Sequence, residues 1–260
     1  MCILALPVRS VSNTRIFTSE HQGRQIVVYE MSVKMRTSGN AMILPVPTVR
    51  KGDIHLVNLE AVPDFLGRMP LLFQEMTLGL TKSRGLSVEK VGSYLVSVAG
   101  NLEELDLINP EVFTLGPRVK EVLSHHYAKG FCFVVAQLSH SGKYHPLAYT
   151  HPLAPEGHLF VPTMHEHGDD HEKPRWDHQI YTLGGHGLLT SPGRVLFKSS
   201  KNRLRGGQVS NYLARVREKV PDLKGYLDTS EDCVLYAFEV KGQQRNMDML
   251  LRGSTLEVSP

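Results

Sequence analysis

At 260 residues the chain is long enough to bury a substantial core, as one large domain or two small ones. Its 41% hydrophobic and 21% charged residues are ordinary for a globular protein, and a formal net charge of +3 supplies no field that demands nucleic acid or an anionic membrane. Three cysteines, Cys2, Cys132 and Cys233, exclude a disulfide framework, and no segment reaches the roughly 20 apolar residues of a spanning helix.

β-branched and aromatic runs dominate the first half. Residues 2–8, 15–18 and 25–33 read as strands, with polar turns at 10–13 and 21–23. Residues 41–47 begin as a buried strand, but Pro45 and Pro47 lack ladder donors, so the strand must end there or lie at an edge. Residues 58–69 predict a short helix with Pro63 near its first turn.

Residues 94–99 and 131–138 are buried-strand candidates. Between them, Val119, Val122 and Leu123 at helical spacing predict a helix over 116–127. Residues 145–151 and 158–163 read as a pair of strands across a Pro-Glu-Gly turn, and 179–183 as another short strand. The clearest amphipathic helix spans 207–220, with Val209, Tyr212, Leu213, Val216 and Val220 on one face. Pro221 and Asp222 stop it, residues 233–240 give a final strand, and the tail from about 253 is expected to fray. The expected fold class is α+β, mostly antiparallel sheet with a few helices, as a single domain over 1–260. An odd cysteine count and an N-terminal apolar stretch too short for a signal segment predict a cytoplasmic protein.

Cys2 at the head of the first strand, the segment Ile43-Leu44-Pro45-Val46-Pro47, and the strand 130–136 followed by Pro146-Leu147 form a pattern over about the first 150 residues. That pattern resembles an uncharacterised bacterial family of unknown function. The resemblance implies a mostly β domain and no activity.

The densest chemistry lies in His165-Glu166-His167-Gly168-Asp169-Asp170-His171. Imidazole and carboxylate hold first-row metals, and alternation of His165 and His167 on an extended backbone projects both rings from one face. A turn at Gly168 would fold His171 back, and His178 offers a fourth ligand. Asp169 or Asp170 would orient a ring or serve as general base. Three nitrogens plus water would make an open, hydrolytic zinc site, and four protein ligands a closed one. The metallo-β-lactamase signature is not met, because one extra residue separates Asp169 from His171. The competing reading of the same residues is a solvated polar loop.

Removal of Met1 would leave Cys2 as an N-terminal nucleophile with its own amine as base, the arrangement of N-terminal-nucleophile amide hydrolases. The basic run Arg194, Lys198, Lys201, Arg203, Arg205 and the turn around His186 are weaker signals, read as a solvated loop and a turn. His125-His126 suit the C-terminal end of a helix. Three functions therefore stand open: a zinc-type metal site, hydrolytic if the protein is an enzyme; amide hydrolysis by Cys2; and a non-catalytic protein-interaction module. Their partners are, in turn, a small-molecule or peptide substrate or another protein, with nucleic acid and membrane disfavoured.

Overall fold

A long hairpin organises the molecule. In the computed structural model, which describes residues 3–37, 39–75, 95–107, 114–167, 174–184, 186–190, 203–205, 207–243 and 245–253, the strands in chain order are β1 (Ile3–Leu4), β2 (Val8–His21), β3 (Arg24–Met35), β4 (Asn40–Val46), β5 (His55–Val57), β6 (Val96–Ala99), β7 (Cys132–Leu138), β8 (Gly142–Lys143), β9 (Leu147–Pro152), β10 (Leu159–Val161), β11 (Arg175–Leu183), β12 (His186–Thr190), β13 (Arg203–Arg205), β14 (Val234–Gln243) and β15 (Met249–Gly253). The helices are α1 (Phe65–Glu75), α2 (Leu102–Leu105), α3 (Pro117–His126) and α4 (Gly207–Lys219).

The β2–β3 hairpin closes through Gln22 and Gly23, both at positive φ, where a tight turn needs them. It sits inside an eight-stranded sheet of order β13-β14-β11-β2-β3-β9-β5, with β8 on the side of β3. All of its pairings are antiparallel except β11 against β2. A four-stranded sheet runs β1-β4-β7-β6, and a three-stranded one β10-β15-β12. The fold is α+β with mostly antiparallel sheets, as the strand-rich sequence predicts.

Period-2 alternation explains the layering. On β3, Val27, Tyr29 and Met31 enter one core while Ile26 and Val28 enter another. The second core is roofed by Phe65, Leu66 and Met69 of α1 and Val209, Leu213 and Val216 of α4. On β4, Met42 and Leu44 meet the first core, between the two larger sheets, whereas Ala41 and Ile43 turn to Val119, Val122 and Leu123 of α3. The order is thus helices, sheet, sheet, helix. Each fully buried aliphatic side chain contributes about 1.5–3 kcal/mol to holding these layers together.

Several expectations are corrected. The predicted turn at 10–13 lies inside β2, where register shifts flank Ser10 and Ser12, and Asn13 takes φ 54°. Bulges absorb polar residues that otherwise read as a turn. The helix expected from 58 starts at Phe65, because Asn58 instead accepts the Glu60 N–H and successive turns occupy 59–65. β9 and β10 do not form one ladder; they belong to different sheets. β4 continues through Pro45, which is tolerated because β1 covers only Met42 and Ile43 on the flank opposite β7. Strands β5, β8, β12, β13 and β15 have no counterpart in the sequence pattern, and the tail beyond 253 lies outside the described residues.

Candidate functional site

The histidines expected to converge do gather, but as a packed aromatic cluster. β11 sends Trp176, His178 and Ile180 to one face by alternation. The segment after β10 then crosses beneath them. His165 lies 4.7 Å from Trp176, 5.1 Å from His178 and 5.4 Å from His167 by ring centroids, and Trp176 lies 4.6 Å from His178. His165 is 2% exposed, Trp176 1% and His178 fully buried.

That crossing segment is held from both sides. Asn246 accepts the His165 N–H at 2.7 Å and donates to the His165 carbonyl at 2.8 Å, so one side chain does the work of a strand neighbour. Asp248 accepts the N–H groups of Thr163 and Met164 at 2.8 and 2.9 Å, and the Tyr127 hydroxyl at 2.6 Å. From the other side, the Leu4 N–H donates to the Glu166 carbonyl at 2.9 Å and the Val8 N–H to the His167 carbonyl at 3.1 Å.

Burial sets the electrostatics. It pushes the His165 and His178 imidazoles well below their ordinary range, and the neighbouring His167 lowers both further. Burial also raises the Glu166 carboxyl to about 7, against the opposing pull of Arg118 4.0 Å away. Asp177 is raised by burial, while its carboxylate accepts the Asn13 N–H at 2.6 Å.

The metal reading is overturned by this geometry. Among the described residues no group of three or more His, Cys, Asp or Glu side chains is placed to hold a metal ion. The rings, tilted 35–36° from one another with an indole among them, pack as an aromatic cluster. The zinc-site, metal-binding and metal-dependent hydrolase expectations for His165, His167 and His178 are corrected accordingly. His171, Asp169, Asp170 and Cys2 lie outside the described residues, as do Arg194, Lys198 and Lys201.

A surface feature escaped the sequence reading. Among the described residues, the large apolar side chains left exposed are Val49, Leu56, Leu95 and Leu107, at 75%, 46%, 72% and 81%. All four belong to two stretches, 49–56 and 95–107, that are tied together by Lys51 and Glu104 at 2.8 Å. Here the outermost strands of the two larger sheets, β5 and β6, flank one groove. It encloses about 390 Å³, lined by Leu56, Val57, Leu59, Val96, Pro146 and Leu147. No sequence rule flags these residues, because exposure of an apolar side chain depends on which strands end up outermost. Among the described residues no helix is long and apolar enough to cross a membrane.

No protein-family model matches the chain. Among solved structures, baculovirus P35 is similar to it with a TM-score of 0.57 and 14% identity, covering 97% of this chain and 99% of P35. A mutated baculovirus P35 after caspase cleavage matches at TM-score 0.49 and 14% identity, over 93% and 99% of the two chains. A third match is the complex of P35 with caspase-8, at TM-score 0.43 and 14% identity, over 93% and 96%. The likeness to P35 is one of fold, and it displaces the resemblance to a bacterial family drawn from the short segments around Cys2 and 43–47.

Proposed function

We propose that this chain is a non-catalytic protein-interaction module that binds its partner through the seam between β5 and β6. The carrying observation is the confinement of Val49, Leu56, Leu95 and Leu107 to two stretches joined by Lys51 and Glu104, with Leu56 on the wall of an open groove. Scattered exposed leucines are ordinary, but exposed apolar side chains confined to two stretches that an ion pair ties together, with the charged Arg50, Lys51, Asp53 and Glu104 among them, suit a binding patch. Fold alone does not assign function. The P35 likeness adds a partner class: a mutated P35 is known after caspase cleavage and P35 in complex with caspase-8, so a caspase-type cysteine protease is the first partner to test. The free, buried Cys132 and Cys233 suit a reducing compartment, and we assign the protein to the cytoplasm.

The test mixes the purified chain with a panel of caspases and follows residual peptidase activity and complex formation by native mass spectrometry. A complex that Leu56→Glu and Leu95→Glu both weaken supports the reading. Binding untouched by those changes places the contact elsewhere, and no binding to any caspase removes the partner class.

A further inference from the structure

We propose that His165 and His178, packed on Trp176, form a proton-operated latch that holds the 162–167 segment against the sheet at neutral pH and releases it in acid. His165 is 2% exposed, and neither of its ring nitrogens has a hydrogen-bond partner among the described residues. A neutral imidazole tolerates that site as an aromatic ring. An imidazolium does not, since it adds a charge and a second N–H that the site leaves unanswered.

The surrounding charges do not rescue the protonated form. From β11, Asp177 is engaged by the Asn13 N–H, and alternation sends it to the face opposite His178. On the crossing segment itself, Glu166 is directed to Arg118 of α3, and Arg118 also bonds Glu121. Opposite, Asp248 is occupied by the Thr163 and Met164 amides and by Tyr127, and Asn246 by the His165 backbone. The remaining neighbour, His167, opposes a positive charge. At the two imidazoles protons therefore bind the released segment in preference to the packed one, while Glu166, whose carboxyl burial raises to about 7, takes its proton in the packed state and offsets part of that preference. The closed state is favoured above the ordinary histidine range and loses ground as pH falls through it.

The latch has a built-in reporter, because Trp176 is the chain's one tryptophan. The experiment follows Trp176 emission of the full chain from neutral pH into mild acid, with hydrogen exchange by mass spectrometry at each step. We expect the emission to change in one step below about pH 6. Over the same interval the amides of residues 163–167, and of Leu4 and Val8 that bond to them, should lose protection by roughly tenfold or more while β3 and β9 keep theirs. His165→Phe, which fills the site without a titrating group, should move the step to lower pH; should that variant not fold, the parent's exchange pattern decides alone. Protection of 163–167 that stays flat through mild acid, a loss shared by every strand at once, or a folded His165→Phe with an unmoved step would each overturn the proposal.

Discussion

Asn246 and His165 pair through two hydrogen bonds across 81 residues of sequence, side-chain amide against backbone N–H and carbonyl. Removing the amide strands both backbone groups where solvent has little access. Asn246→Ala should lower unfolding free energy by about 2–4 kcal/mol, one to two kcal/mol for each abandoned group. The midpoint of urea unfolding measures it, and a shift below half that size would show the pairing to be incidental.

Tyr127 and Asp248 offer a cleaner cycle. The Tyr127 hydroxyl lies 2.6 Å from a carboxylate oxygen, while the other oxygen serves Thr163 and Met164. Tyr127→Phe should cost about 1–3 kcal/mol, since it leaves a carboxyl oxygen of Asp248 without that partner. Combined with Asp248→Asn, the pair should be non-additive by more than about 0.5 kcal/mol.

His151 gives stability a pH slope. Burial depresses its imidazole to about 4, and its Nδ1 lies 2.6 Å from the Pro152 carbonyl. Because the unfolded chain titrates near 6.5, the native state is favoured fully above that value and loses up to about 3 kcal/mol as pH falls from there to about 4. His151→Gln should flatten that part of the profile. An unchanged slope in the variant would assign the effect to other groups.

At the seam, stability and binding should separate. Leu56→Glu and Leu95→Glu alter side chains that are 46% and 72% exposed, so thermal unfolding should change by no more than about 0.5 kcal/mol. Partner affinity should fall at least tenfold, about 1.4 kcal/mol, if the strip is a binding surface. Titration calorimetry with a caspase that binds the parent chain reads the affinity, and scanning calorimetry of each variant reads the stability.

Local patterns were legible where neighbours in sequence decide the outcome. α3 and α4 follow from the spacing of Val119, Val122 and Leu123 and of Val209, Leu213 and Val216. Non-local choices were not legible. Nothing in 147–161 says that β9 joins β3 while β10 joins β15, since partner selection depends on distant edges. The clustering of His165, His167 and His178 was visible in their alternation and proximity to β11, but the role of Trp176 was not. In the sequence it stands at the start of a strand beside a candidate ligand, whereas in the fold it is the wedge against which the rings pack.

The crossing segment after β10 is closed by residues 3–8 on one side and 246–251 on the other. During synthesis it must therefore wait for about 80 further residues before its second wall exists. A ribosome-bound nascent chain stalled before Asn246 emerges would expose Leu159, Phe160 and Val161 as an uncovered strand, a ready target for chaperones.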